Sequence, residues 1–238
     1  MFTEPPWASG PGEILKHGLQ LLEEDSDTNR RLALISIDNS VELMLKTFLG
    51  LPKRVTGLQI SRSDYQEFSE SFPKLLDALE KHATDKIAGI DLGEIEWYHR
   101  LRNQLYHQGN GLTVERNKVE VYAKLADTLF LNLFGVRLVT DEGKKHDLLG
   151  EFIQAWANFE RMLTERFNMG TTRPLIAPNA IRHLFGPDSI TQADAEKINE
   201  IRKIRNGVVH GVEDYKKVVT RDMAKFLNEL VKRLTSKK

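Results

Sequence analysis

The chain has 238 residues, 40% of them hydrophobic and 29% charged, and its 34 basic and 34 acidic side chains leave no formal net charge. That length suffices for one large core or for two small domains of ordinary size, and the neutral balance argues against binding nucleic acid through overall positive potential. There are no cysteines, which excludes a disulfide framework, a thiol nucleophile and Cys-ligated zinc.

In chain order, MFTEPPWASGPGEIL lacks the basic start and apolar stretch of a secretory signal, so the cytoplasm is the expected compartment. No apolar run approaches the ~20 residues of a membrane helix, and no membrane association is expected. Apolar spacing is helical nearly throughout, without period-two alternation, and predicts an all-α protein. A first helix is expected from Gly12 to Glu24. Asp27 or Thr28 then caps a long helix ending at Gly50, with Leu32, Ile35, Val41, Leu45 and Phe48 as buried candidates. LGLPKRVTGLQ reads as a loop. Ser63 with Gln66 resembles a capping box, and Pro73 interrupts or kinks the chain before a helix from Leu75 to His82. Further helices are expected from Leu92 to His107 and, capped by Thr113, to Phe134.

GVRLVTDEG, residues 135 to 143, marks a boundary, so the expected domains are 1–138 and 139–238. The second half repeats the plan in shorter form. It has a helix from His146 to Phe167, a loop MGTTRPLIAPN, a short helix from Ala180 to Phe185, a helix capped by Thr191 with Asp194 and ending at His210, and a last helix from Tyr215 onward. That last region is basic, with eleven Lys or Arg against four Asp or Glu in residues 201–238. Such a segment serves as a solvated helix face or meets an anionic partner. Placing Glu42 on Glu160 superposes SVELMLKTFL on NFERMLTERF, with a Met and then a Leu in step. This reads as an internal duplication.

The same pattern of six closes a helix in each half: RNQLYH, Arg102 to His107, and RNGVVH, Arg205 to His210, both followed within two residues by glycine. At ordinary residue usage one match is expected in roughly one chain in a hundred of this length. Two readings compete. Histidine in a last turn with glycine beyond it is what helix-dipole complementarity and C-capping select. Alternatively the residues form a site. At about 100° per residue Asn103 and His107 share a face, as do Asn206 and His210, while each Arg points about 140° from its His. Two such helix ends brought face to face would make a cleft with two imidazoles and two guanidiniums. Imidazole can take a proton from a ribose 2′-OH or give one to a departing oxygen near neutral pH, and guanidinium stabilises charge growing on phosphate oxygens. That chemistry needs no metal or other cofactor, and none is expected, because the seven His are scattered and no metal-ligand motif occurs. His99 lies on the Asn103 and His107 face and would line the cleft. Tyr106 either stacks on a base or packs in the core.

Both segments resemble the R-x4-H signature of the HEPN superfamily, small all-α domains that include many metal-independent ribonucleases of toxin, antiviral and CRISPR systems. The resemblance implies two tandem HEPN-like helical bundles and an endoribonuclease acting in bacterial defence or toxin-type growth arrest. It implies Arg102, Asn103, His107, Arg205, Asn206 and His210 as catalytic residues, with Glu42 and Glu160 as supporting acidic groups on earlier helices. It also implies an RNA substrate, an antitoxin or other regulatory protein as partner, and pairing of domains that extends to a homodimer. One branch of the family carries Tyr two residues after the His, where this chain has Gly109 and Val212, so regulation at that position is not expected. The competing expectation is a non-catalytic RNA-binding or protein-interaction module, and a third is that one motif alone is active.

Overall fold

The computed structural model describes residues 5–107, 113–138, 147–167 and 190–236. These residues are mainly helical, with no β-strand among them, as the apolar spacing predicts. The chain divides into two compact units, Met1–Lys145 and His146–Lys238.

The first unit contains α1 (Ser9–Glu23), α2 (Asp27–Gly50), a single turn α3 (Lys53–Thr56), α4 (Arg62–Ser69), α5 (Phe72–His82), a 3₁₀ turn (Thr84–Ile87), α6 (Leu92–His107) and α7 (Arg116–Phe134). The long helix α2 is its centre, packed against α1, α4, α5, α6 and α7. Ile37, Val41, Met44, Leu45 and Phe48 recur on its inner face at helical spacing and are buried. Each such side chain contributes about 1.5–3 kcal/mol through burial. Leu32, expected in that core, is 45% exposed, because it falls outside the stripe formed by Ala33, Leu34 and Ile37. Helix α1 approaches α2 closely at Gly18, where a Cβ would lie 2.9 Å from Ile37 Cγ1 and 3.3 Å from the Ala33 carbonyl oxygen. The buried hydroxyl of Ser40 ties the pair further by donating to the Pro11 carbonyl at 2.6 Å.

Several helix starts differ from expectation. Ser26 caps α2 in place of Asp27 or Thr28, accepting from the Asn29 N–H at 3.0 Å. Ser61 caps α4 in place of Ser63, through the Asp64 N–H at 3.1 Å. In each case the cap is the serine held in extended backbone just ahead of the first turn. Pro73 opens α5 and does not kink it, since a helix's first turn has no use for the missing N–H. Helix α7 starts at Arg116 behind Glu115, not at Thr113.

The second unit contains α8 (Leu148–Phe167), α9 (Gln192–Val209), a single turn α10 (Tyr215–Val218) and α11 (Arg221–Thr235). Helix α8 packs against α11, whose Ala224, Leu227, Leu230 and Leu234 form its buried stripe. The last helix expected from Tyr215 is thus two, broken where Val219 and Thr220 are extended, a β-branched run with weak helix preference. Thr191 and Asp194 form the expected capping box. The expected loop MGTTRPLIAPN and the short helix from Ala180 to Phe185 lie outside the described residues.

Asp194 is itself buried and also pairs with Arg233 of α11. Burial by itself would raise its carboxyl pKa. Hydrogen bonds from the Thr191 N–H and hydroxyl, joined by Arg233, outweigh that and hold it below the ordinary 3.8.

Candidate functional site

In the first unit the motif occupies the second half of α6, and its arginine turns toward α2. Arg102 donates through Nη1 to Asn103 Oδ1 at 2.8 Å and through Nη2 to Asn39 Oδ1 at 2.9 Å. Its Nε lies 2.9 Å from Asp38 Oδ2. That is ion-pair distance, but the N–H points off the line of a hydrogen bond. Glu42 Oε2 is 3.8 Å from Nη2, while Oε1 of the same carboxylate holds Lys46 at 2.6 Å. Glu42, expected as the supporting acid, therefore stands near the guanidinium, but Asp38, one turn earlier, is the acid in closest contact.

Asp38 is fully buried. A buried carboxylate is tolerable when donors and opposite charge surround it, and three groups do so here. The Tyr122 hydroxyl donates to Oδ1 at 2.8 Å, while His99 Nδ1 and Arg102 Nε both lie 2.9 Å from Oδ2. Burial, then the neighbouring Asp38 charge, pushes the Tyr122 phenol well above its ordinary pKa of 10.0, so it remains a donor. Its ring stacks on Tyr98 at 4.3 Å between centroids and 6° between planes. The His99 ring stacks in parallel on Phe72 at 3.9 Å and 4°. Asp38 thus gathers α2, α6 and α7 around one charge.

His107, the last residue of α6, is exposed and makes no hydrogen bond with Arg102 among the described residues. Tyr106 beside it is 68% exposed and meets the imidazole edge to face at 5.4 Å. Of its two expected placements, core or surface, Tyr106 takes the surface. Gly109 lies outside the described residues.

In the second unit the motif closes α9. Arg205 is buried, Asn206 is exposed, and His210 is the exposed C-cap residue whose N–H donates to the Asn206 carbonyl at 3.0 Å. Gly211 follows at φ 66°, and the N–H groups of Val212 and Glu213 return to the Gly207 carbonyl at 2.8 and 3.0 Å. This is a left-handed helix end of the kind glycine favours. Glu160 lies half-buried on α8. Shifting Arg102 onto Arg205 puts Arg202 at the position of His99, and shifting Glu42 onto Glu160 puts the buried Trp156 at the position of Asp38. Among the described residues of both units, no group of three or more His, Asp or Glu is placed to hold a metal, and no helix is long and apolar enough to cross a membrane.

Asp38, Asn39 and Tyr122 escape motif reasoning because they lie outside the repeated hexamer. The available signal was an Asp one turn before Glu42, within the apolar stripe of a long helix. The chain matches no protein-family model, no curated protein and no solved structure.

Proposed function

We propose that this chain is an endoribonuclease built from two HEPN-like modules, cleaving RNA by attack of a ribose 2′-OH on the adjacent phosphorus. The supporting observation is the exposed end of α6, where His107 and Tyr106 are open to solvent and Arg102 and Asn103 are already hydrogen-bonded to one another. Arg102 retains an Nη1 hydrogen with no acceptor among the described residues, free to donate to a non-bridging phosphate oxygen as charge grows there. Asn103 engages Arg102 through Oδ1, which leaves its amide hydrogens for substrate. The His107 imidazole transfers a proton, and Tyr106 offers a face on which an unpaired base stacks. Arg205, Asn206 and His210 are the corresponding set of the second module, with Glu160 at the position of Glu42. The resemblance alone motivates the setting: bacterial defence or growth arrest in the cytoplasm, under control of an antitoxin or similar regulator, with homodimerisation as part of the reading.

Cleavage should proceed in EDTA and leave 2′,3′-cyclic phosphate and 5′-hydroxyl ends, and RNA with a 2′-deoxy sugar at the cut should resist. Activity that survives the combined His107→Ala and His210→Ala changes sinks the reading. A second reading is favoured by two observations. Arg102 is engaged by Asp38, Asn39, Asn103 and Glu42, and Gly211 gives the second motif a helix-ending role. On that reading the domains bind RNA or protein without cutting, and RNA is retained intact across many substrates.

A further inference from the structure

The sequence pairs Arg102 with His107, but the structure pairs it with His99. His99 Nδ1 and Arg102 Nε both lie 2.9 Å from the single oxygen Asp38 Oδ2. Imidazole and guanidinium are therefore neighbours across one carboxylate oxygen. Two contacts fix the imidazole. Asp38 is sealed from solvent and held on its other oxygen by Tyr122. Phe72 covers one ring face in a parallel stack. A neutral ring that donates its Nδ1 proton to a carboxylate carries its lone pair on Nε2. That nitrogen has no hydrogen-bond partner among the described residues and is not one of the sealed polar atoms, and the side chain keeps 14% of its surface open. A carboxylate that orients an imidazole whose far nitrogen is unengaged is the arrangement of a general base and its orienting group.

Resting on the ribonuclease reading, we propose that His99 is a further catalytic residue, the general base of the first unit, with Asp38 as its positioning residue. Nε2 of His99 takes the 2′-OH proton as the 2′ oxygen bonds to phosphorus. The P–O5′ bond breaks with its electron pair passing to O5′, which takes a proton from the imidazolium of His107. The products are a 2′,3′-cyclic phosphate and a 5′-hydroxyl. Solvent then removes the proton from His99 and returns one to His107. Eight residues of helix separate the two Cα atoms by about 12 Å along α6.

The test separates base from acid with two substrates: an RNA dinucleotide, and a nucleoside 3′-(p-nitrophenyl phosphate), whose leaving group departs without protonation. His99→Asn keeps an N–H donor near Asp38 and deletes the proton-carrying nitrogen. It should lower kcat about 10²-fold or more on both substrates. His107→Ala should be impaired on the dinucleotide and restored to near wild-type rate on the activated ester. Asp38→Asn should lower kcat with KM changed less than about threefold, the split expected of a group acting through another. Far-UV circular dichroism establishes folding, and His99→Gln replaces His99→Asn if the latter does not fold. Wild-type rates for the folded His99 variant on either substrate overturn this assignment and leave the ribonuclease reading standing. A wild-type chain that cleaves neither substrate overturns both.

Discussion

Arg102 and Arg205 occupy the same place in the same six-residue pattern, but the two units treat them differently. In the first unit a buried aspartate of α2 collects the arginine and a histidine from α6 and a tyrosine from α7. In the second, the sequence shifts that superpose Glu42 on Glu160 and Arg102 on Arg205 put a tryptophan in place of the aspartate and an arginine in place of the histidine, and α9 ends through Gly211. A short motif thus specifies which groups sit at a helix end. The neighbouring helices decide which of those groups are pinned and which are open.

The largest expected effect separates the units by activity. His107→Ala and His210→Ala, made singly, should each reduce RNA cleavage by about 10² or more if both motifs are used. A loss confined to His107→Ala would assign the chemistry to the first unit alone. Next in size is Asp38→Ala, which leaves Arg102 and His99 without their shared carboxylate. It should destabilise the first unit by about 3 kcal/mol, read from urea unfolding. Removal of Glu42, which is more exposed, should have much less effect. Gly211→Ala forces a side chain into left-handed backbone and should cost the second unit about 1–2 kcal/mol. Tyr122→Phe removes one hydrogen bond to Asp38 and should cost the first unit about 1 kcal/mol.

The smallest effect is one of pH and belongs to the second unit. The Asp194 carboxyl pKa is lower in the folded state than its ordinary 3.8. Its stabilising contribution is therefore complete above about pH 4 and is lost as pH falls through the lower folded value. Thermal midpoints measured between pH 7 and pH 3 should decline less in Asp194→Asn than in the wild type.

The limits of α6, Leu92–His107, and the Thr191 and Asp194 capping box were legible from the sequence, because apolar spacing and a cap with an acid at the third helical position act within a few residues of chain. The serine caps were misplaced by one or two residues because Ser26 and Ser61 each have polar neighbours also suited to capping. Leu32 misled because hydrophobicity alone does not give a residue's angle on its helix.

Helix content, the positions of most helix ends and the presence of two Arg-Asn-His sets were determined by the sequence itself, since backbone hydrogen bonding, capping and apolar spacing are local. The tertiary structure decided that Arg102 turns to Asp38, that His99 shares the same Asp38 oxygen and that Tyr106 faces solvent. Those outcomes depend on residues up to 84 positions apart in the chain, as in the Tyr122 to Asp38 hydrogen bond. A buried charge takes whichever donors the packed helices bring within reach, and no local pattern encodes that choice.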